Sequence, residues 1–180
     1  MRIIAGEWRG RRLGALQGLE VRPTADRVRE AWMSSLAPRI PRARVLDLFA
    51  GSGALGLEAL SRGADEAVFV ERARGALEVL EANIALLGAE ERATVAREEV
   101  FTFLKKDVFF DIALADPPYG KGLAARLVEH FQARPFAREL WVEHGSSEEL
   151  PKLPGLRQRR YGGTTLTTMD GGDPPGGEEA

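Results

Sequence analysis

The chain has 180 residues, of which 44% are hydrophobic and 29% are charged, close to the averages for globular proteins. This length predicts one domain of ordinary size that buries roughly 70% of the surface of its unfolded chain. There is no Cys, and His130 and His144 are the two His residues. This composition excludes disulfides, thiolate nucleophiles and zinc sites that need sulfur, and it leaves little for a His-rich metal site. We therefore expect chemistry that needs no metal.

The sequence offers no membrane or secretion signal. It has no stretch of 18 or more apolar residues, and its first nine residues lack the apolar core of a signal peptide. We therefore expect a soluble cytoplasmic protein without a membrane partner.

The net charge of −2 is unevenly distributed along the chain. Residues 1–44 carry ten Arg against four acids, a net charge of +6, whereas the remainder carries 15 basic residues against 23 acids, a net charge of −8. A basic segment joined to an acidic body suggests that the basic segment binds a polyanion such as nucleic acid. The alternative is a simple preference for Arg as the cation, because only four Lys occur.

The first 40 residues are predicted to form an extension made of a small β-hairpin and a helix. The β-prone segments 3–4 and 12–13 are separated by Gly6 and Gly10, as in a hairpin with an irregular loop. Thr24 is a natural N-cap, and apolar residues recur at helical spacing up to Leu36. This helix should end before Pro38.

From residue 41 onward, short apolar runs alternate with longer amphipathic stretches, which is typical of βαβ units and a mostly parallel sheet. The predicted strands are 45–49, 67–70, 93–96, 111–115 and 140–143, and the predicted helices are 54–61, 73–87, 100–105 and 122–133. Two further β-prone segments, 156–161 and 164–169, flank Gly162 and Gly163 as a closing antiparallel hairpin. The sequence therefore predicts an α/β fold with a seven-stranded sheet, followed by a disordered acidic tail at 170–180.

A glycine-rich loop follows the first predicted strand. Gly51, Gly53 and Gly56 match G-x-G-x-x-G at a strand-to-helix turn, where glycines let the backbone approach a ligand and helix N–H groups face it. Glu71 ends the next strand, twenty positions after Gly51. A carboxylate there can accept hydrogen bonds from both hydroxyls of a ribose. Together these features predict a ligand that contains adenosine.

Two further carboxylates bear on the identity of that ligand. Asp47 would oppose the pyrophosphate of a dinucleotide but would favour the ammonium and sulfonium of S-adenosylmethionine. The alternative role for Asp47 is a turn residue that satisfies loop amides. Glu99 precedes the predicted helix 100–105, where it could accept from the adenine amino group or simply be a solvated charge at the helix start.

The sequence Asp116-Pro117-Pro118-Tyr119 indicates the reaction class. It follows the fourth strand directly, in the crevice where open α/β sheets bind ligands. The prolines fix the backbone and remove two N–H donors, so Asp116 and the Pro117 carbonyl can both accept hydrogen bonds from one planar –NH₂ group. Held in this way, the amine nitrogen gains nucleophilic character, while Tyr119 stacks on the ring that carries it. The alternative is a proline-stiffened turn with a surface Tyr.

Together the glycine loop and the Asp-Pro-Pro-Tyr motif resemble those of class I S-adenosylmethionine-dependent amino-methyltransferases. Residues 2–13 and 22–31 further resemble the RsmD family of 16S rRNA guanine-N2 methyltransferases, and the likeness spans about residues 2–169. The resemblance implies a Rossmann-like methyltransferase domain at 41–169 and an RNA-binding extension at 1–40. It also implies methylation of a guanine N2 amine in 16S rRNA, free or in an assembling or assembled 30S subunit. We expect the enzyme to act as a monomer.

The resemblance carries over to individual residues. The expected catalytic residues are Asp116, Pro117 and Tyr119. The expected cofactor-binding residues are Asp47, Phe49, Gly51, Gly53, Glu71, Arg72, Glu99, Val100 and Asp116. The expected RNA-binding residues are Arg9, Arg11, Arg12, Arg22 and Arg27, of which the last two could instead pair with Asp26 or Glu30. Glu99 departs from the family pattern, in which Asp is expected.

Other functions stay open from the sequence. The Asp-Pro-Pro-Tyr chemistry suits any planar –NH₂, so an adenine-N6 or a protein glutamine methyltransferase is an alternative. A non-catalytic RNA-binding assembly factor is disfavoured by the intact Asp116 and Tyr119. An NAD-binding dehydrogenase is disfavoured by Asp47 and by the lack of an evident acid or base for hydride transfer.

Overall fold

The computed structural model describes residues 1–16 and 23–174, apart from the side chains of residues 23–27. The strands are β1 (Arg44–Leu48), β2 (Glu66–Val70), β3 (Ala93–Ala96), β4 (Phe110–Ala115), β5 (Ala137–Gly145), β6 (Arg157–Tyr161) and β7 (Thr164–Asp170). The helices are α1 (Pro23–Leu36), α2 (Ala54–Ser61), α3 (Arg74–Leu87), α4 (Val100–Phe103) and α5 (Leu123–Ala133), with a 3₁₀ turn at Glu90–Arg92.

The seven strands form one sheet in the order β3-β2-β1-β4-β5-β7-β6. Strands β1 to β5 run parallel, and β7 is antiparallel to both β5 and β6. The predicted mostly parallel sheet with a closing antiparallel hairpin is therefore confirmed. The strand order reverses between β1 and β4, and at such a point open α/β sheets form a ligand crevice beyond the carboxyl ends of their strands.

Two apolar layers cover the sheet, because successive side chains of a strand point to opposite faces. Val45 packs in the layer that holds Trp32 of α1 and Leu57 of α2. Leu46 packs in the opposite layer with Phe131 of α5. Strands buried on both faces explain the near-continuous apolar runs in the sequence. Among the described residues, no helix is long and apolar enough to cross a bilayer.

Several element boundaries differ from the predicted ones. Strand β5 spans Ala137–Gly145 rather than 140–143, because its polar residues are satisfied by pairing: Glu139 binds Arg39, and His144 binds Thr167. Helix α4 ends at Phe103 rather than residue 105, and β1 ends before Phe49, whose φ of 58° leaves the extended region.

Both ends of the chain also differ in detail. Helix α1 begins at Pro23, so Thr24 lies in its first turn rather than at the N-cap. A proline suits that first helical position, since its φ is already helical. At the other end, Asp170 belongs to β7 and the Gly171 amide donates to the Arg138 carbonyl at 2.7 Å. The prediction of disorder is therefore wrong for Asp170 and Gly171, and residues 175–180 of the predicted tail lie outside the described part of the chain.

The N-terminal extension packs into the core of the main domain. Its hairpin has one antiparallel bridge, between Arg2 and Arg12. Ile3, Trp8 and Leu13 are buried in the same apolar layer as α2. The division at residue 40 stays a prediction about function, since residues on both sides of it share this core.

The carboxylate of Glu58 attaches the extension to α2. Glu58 is fully buried and accepts from the amides of Ile4 and Ala5 at 2.7 and 3.0 Å, and from Arg62 Nε at 2.8 Å. Ser61 adds two bonds, accepting from the Trp8 amide and donating to the Ala5 carbonyl. The interface therefore depends on a buried polar group on α2 that matches the backbone of the extension.

The Glu58→Ala variant should lose about 3 kcal/mol of unfolding free energy, because two backbone amides and a partly buried Arg lose their acceptor. Urea unfolding at neutral pH measures this loss. The matched control is Glu66→Ala, which removes an exposed pair with Arg44 and should cost less than about 1 kcal/mol. Equal losses in the two variants would mean that Glu58 does not anchor the extension.

Candidate active site

The site lies along the carboxyl edge of the central strands. Leu48 of β1 is opposite Ala115 of β4, and Ala115 is opposite Val142 of β5. The residues that follow these strands are therefore neighbours: the glycine loop after β1, Asp116 after β4, and Glu143 within β5. This register places the two motifs predicted from the sequence side by side.

The glycine loop has the conformation that its residues predict. Gly53 has a φ of 80° and stands at the N-cap of α2, and a Cβ added there would lie 2.4 Å from Leu80. Gly56 lies so close to the sheet that an added Cβ would be 2.4 Å from the Phe69 ring. Gly53 therefore meets a backbone requirement, and Gly56 permits α2 to pack closely on the sheet.

Asp47 is a buried carboxylate beneath this loop. It is 1% exposed, and its Oδ2 accepts from the Gly56 amide at 2.9 Å. Burial raises the pKa of Asp47 well above its ordinary value; the Gly56 hydrogen bond opposes this shift, and the charges of Asp116 and Glu71 add to it. The alternative role of satisfying a loop amide is therefore realised, and the local surplus of negative charge also favours a cationic ligand.

Glu71 joins the end of β2 to the glycine loop. Its Oε2 accepts from the Gly51 amide at 2.9 Å, and its Oε1 accepts from the amides of Arg72 and Ala73 at 2.8 Å each. A carboxylate offers about four lone-pair positions, so Glu71 retains capacity for a ribose hydroxyl beside these bonds. The contribution of Arg72 to this arrangement is its backbone amide.

Glu99 caps α4, and its Oε2 accepts from the Thr102 amide at 2.9 Å. Burial tends to raise the pKa of Glu99, but hydrogen bonds from the amides of Phe101 and Thr102 outweigh it, so the pKa is lowered. An adenine amino group at Glu99 would share the carboxylate with this cap. Val100 is buried in the core on the α4 side, and Phe49 packs against the same layer.

Tyr119 lies against the end of β5. Its hydroxyl donates to Glu143 Oε1 at 2.8 Å and lies 3.3 Å from Thr164 Oγ1. The ring faces Gly145, where an added Cβ would be 3.3 Å from Tyr119 Cδ2. With 46% of its surface exposed, the ring can still stack on a flat ligand. Burial and the charge of Glu143 raise the pKa of Tyr119, so its hydroxyl stays a donor.

Asp116 and Glu143 are neighbouring carboxylates. Asp116 is exposed to solvent as a residue, yet protein atoms surround its carboxyl group. This loss of hydration, together with the charge of Glu143, raises the pKa of Asp116 to about 7. Burial also raises the pKa of Glu143, while the Tyr119 hydroxyl and the charge of Arg29 lower it. Burial therefore disfavours the charged form of each group, and the charge of Glu143 further disfavours ionised Asp116.

Sequence reasoning missed Glu143. The signal was present, since Glu143 follows Val142 as Asp116 follows Ala115, but its strand was predicted to end there and no motif marked it. In the structure β5 continues to Gly145, and the register of β5 with β4 places Glu143 beside Asp116.

The expected RNA-binding residues are only partly described. Arg9, Arg11 and Arg12 are exposed, and Arg11 Nη2 donates to the Leu86 carbonyl at 2.8 Å. The amino end of α3 follows Glu71 at the crevice, and Leu86 lies near its carboxyl end. With 14 residues at 1.5 Å each, these two ends are about 20 Å apart. Arg11 therefore lies towards the opposite edge of the sheet from Asp116. Arg22 and the side chain of Arg27 lie outside the described residues.

A second basic strip, the alternative RNA-binding surface that the sequence offers at residues 157–160, lies on the edge of the sheet. Arg157, Arg159 and Arg160 are exposed on the edge strand β6, and across the described ranges none of the three forms a salt bridge. The adjoining turn leads to Thr164, which contacts Tyr119. A short turn therefore joins this strip to a residue at the crevice, whereas in the described part of the chain no such short connection joins the N-terminal arginines to it. Within the same described ranges, no group of three or more His, Asp or Glu could hold a metal ion.

Comparison with known proteins adds a family and a fold. The family model described as conserved hypothetical protein 95 matches residues 1–170. The ribosomal RNA small subunit methyltransferase D of Escherichia coli K12 is 40% identical over 158 residues, which is 86% of this chain and 79% of the relative. The protein of that name from Haemophilus influenzae is 41% identical over 132 residues, 71% of this chain and 68% of the relative.

Solved structures agree with these relatives. A hypothetical protein of Thermus thermophilus superposes with a TM-score of 0.81 at 34% identity, over 94% of this chain and 99% of the other. A 16S rRNA N2 methyltransferase of T. thermophilus, solved with AdoMet and guanosine, has a TM-score of 0.68 at 22% identity, over 87% of this chain and 45% of the other. At that identity the second likeness concerns the fold alone.

The raised pKa of Asp116 can be measured directly. In a ¹³C NMR titration of the labelled protein, the Asp116 carboxyl should titrate well above an ordinary Asp. The Glu143→Gln variant removes a like charge, so it should lower the pKa of Asp116 without bringing it to the ordinary value, since the loss of hydration persists. Glu139→Gln, farther along β5, should leave it unchanged. If the pKa of Asp116 were the same in Glu143→Gln as in the wild type, the two carboxylates would not interact.

Proposed function

The chain belongs to the family described as conserved hypothetical protein 95, the RsmD family, and on that premise we propose that it methylates the exocyclic N2 amine of a guanine in 16S rRNA. The relatives and the shared fold confirm the expected class, an S-adenosylmethionine-dependent rRNA methyltransferase. The choice of guanine N2 is our proposal. The observation that carries an amine as the acceptor is the position of Asp116, next to the glycine loop in the register of β1 with β4, where Asp116 and the Pro117 carbonyl would offer two acceptors. The choice of guanine rests on the resemblance of residues 2–13 and 22–31 to the RsmD family.

The residues around the loop suit S-adenosylmethionine by charge. Asp47, Glu71 and Asp116 form a negative edge; burial raises the pKa of Asp47, and the charges of Asp116 and Glu71 raise it further. A ligand with an ammonium and a sulfonium relieves that repulsion, whereas a pyrophosphate would increase it. Asp47, Phe49, Gly51, Gly53, Glu71, Arg72, Glu99 and Val100 are the residues proposed to hold the donor. When bound, the donor supplies a methyl group on a positively charged sulfur.

The Asp-Pro-Pro-Tyr segment positions the amine. The Asp116 carboxylate and the Pro117 carbonyl accept the two N2 hydrogens, and Tyr119 stacks on a guanine turned out of the RNA stack. Bringing the nitrogen into line with the methyl group supplies most of the catalysis. The new N–C bond forms as the S–C bond breaks, and one N2 proton leaves to Asp116 or to water. Since Asp116 accepts from the amine as a carboxylate, it must be ionised before transfer, and activity should rise with pH through the pKa of Asp116.

The proposed RNA contacts are the N-terminal arginines Arg9, Arg11, Arg12, Arg22 and Arg27. RNA that reaches both Asp116 and Arg11 must extend over about 20 Å of protein, given the length of α3. A folded rRNA segment, free or in an assembling or assembled 30S subunit, meets that requirement, whereas an isolated nucleotide does not. We propose that the enzyme acts on it as a monomer.

The test is a product map. The protein is incubated with labelled donor and unmodified 16S rRNA, free and in 30S particles, and the modified nucleoside is identified by mass spectrometry. We expect N2-methylguanosine at one position. N6-methyladenosine, or a methylated glutamine in a ribosomal protein, would overturn the proposal in favour of a different amine.

Glu71→Ala should lower affinity for S-adenosylhomocysteine by roughly tenfold or more, because the charge-assisted bonds it makes are worth about 1.5–3 kcal/mol. Calorimetric titration measures this affinity. The control is Glu78→Ala on the exposed face of α3, where Glu78 pairs with Arg74. Unchanged affinity in a folded Glu71→Ala variant would remove Glu71 from the donor site.

Replacing Arg9, Arg11 and Arg12 together with Ala should flatten the dependence of log affinity on log salt by about two units, at roughly 0.7 for each phosphate that is no longer neutralised. Filter binding of rRNA across a salt series gives the slope. The control replaces Arg74, Arg97 and Arg134, each of which pairs with an acid. A wild-type slope in the variant that lacks Arg9, Arg11 and Arg12 would mean that other residues bind the phosphates. The alternative surface is then Arg157, Arg159 and Arg160 on β6.

A further inference from the structure

Glu143 borders the same space as Asp116 and Tyr119. Ala115 and Val142 are opposite each other in the parallel pair of β4 and β5, so Asp116 and Glu143 are the next residues on strands about 4.8 Å apart. The Tyr119 hydroxyl donates to Glu143 Oε1 at 2.8 Å. The amine-binding acceptors, the stacking ring and a second carboxylate therefore meet at one point of the crevice.

In the proposed amine chemistry, Glu143 only accepts from the Tyr119 hydroxyl. Asp116 and the Pro117 carbonyl already accept both N2 hydrogens, and Tyr119 needs only one acceptor for its hydroxyl. A half-buried carboxylate beside another carboxylate is unfavourable: burial raises the pKa of Glu143, and burial together with the charge of Glu143 raises that of Asp116. Groups held in such unfavourable surroundings within a cleft are candidates for ligand binding.

We propose that Glu143 binds the N1–H group of the target guanine and so selects guanine over adenine. This inference rests on the proposed function and names the base-selecting part of that site. Guanine presents N1–H next to its N2 amine, two adjacent donors, whereas adenine presents a bare N1 lone pair next to its N6 amine. An ionised carboxylate only accepts, so Glu143 attracts the first edge and repels the second.

The geometry allows Asp116 and the Pro117 carbonyl to bind N2 while Glu143 binds N1–H. When Asp116 and the Pro117 carbonyl bind N2, the ring nitrogen N1 is separated from N2 only by the carbon C2. N1 can then face a group on the adjacent strand. Glu143 occupies that adjacent position, and Tyr119 fixes its orientation through a single hydrogen bond. Since a carboxylate has about four lone-pair positions, this bond leaves acceptors for N1–H. A flipped base is commonly identified by bonds of this kind to its Watson–Crick edge.

The test compares two bases that both carry the C2 amine. 16S rRNA is assembled by ligation with guanine or 2-aminopurine at the methylated position; 2-aminopurine keeps the amine but has no hydrogen on N1. Wild-type enzyme should transfer methyl to guanine faster by roughly tenfold or more. In Glu143→Gln this preference should fall by about tenfold, because the amide can accept from N1–H or donate to a bare N1. Single-turnover rates at saturating donor give both ratios.

The matched control is Glu139→Gln, on the same strand but at its amino end, which should keep the wild-type preference. Equal wild-type rates on the two bases would overturn the proposal without reference to any variant. So would an unchanged preference in a Glu143→Gln protein that folds and binds donor normally. Failure of the wild-type enzyme to form N2-methylguanosine on natural rRNA would instead overturn the proposed function, so the two failures are distinct.

Discussion

Crowding of carboxylates at the carboxyl edge of the sheet is the constraint on which this site depends. Asp47 and Glu143 lie near the ends of β1 and β5, and Glu71 and Asp116 directly follow β2 and β4. Burial raises the pKa of Asp47, Asp116 and Glu143, and neighbouring carboxylates raise the pKa of Asp47 and Asp116 further. Such an edge is stabilised by ligands that bring positive charge or N–H donors. The sulfonium and ammonium of the donor supply positive charge, and the guanine edge supplies N–H donors.

The fold holds these charges in place with backbone amides. The Gly56 amide holds Asp47, and the amides at positions 51, 72 and 73 hold Glu71. Apolar layers on both faces of the sheet fix the strand register, so Asp116 and Glu143 cannot move apart without disrupting the core. The repulsion is therefore maintained by packing, as is common where a protein gives up stability for function.

The sequence predicted the parts of the molecule that local patterns determine. Apolar runs predicted the parallel strands, and the glycines at 51, 53 and 56 predicted the loop. What it could not predict depends on pairing between distant segments. Glu143 gains its significance only from the register of β5 with β4, and Glu58 only from the docking of residues 4 and 5 on α2. Glu99 shows a third case, because a carboxylate before a helix serves as a cap whether or not a ligand also uses it.

The most direct test of the account is a rapid-quench measurement of methyl transfer by Asp116→Ala at saturating donor and rRNA. The account predicts a loss of about a hundredfold or more in the single-turnover rate, the usual scale for removing a preorganised electrostatic contact. S-adenosylhomocysteine affinity should stay close to wild type, since Asp116 acts chiefly on the amine. A near-wild-type transfer rate in Asp116→Ala would contradict the claim that this carboxylate prepares the amine for methylation.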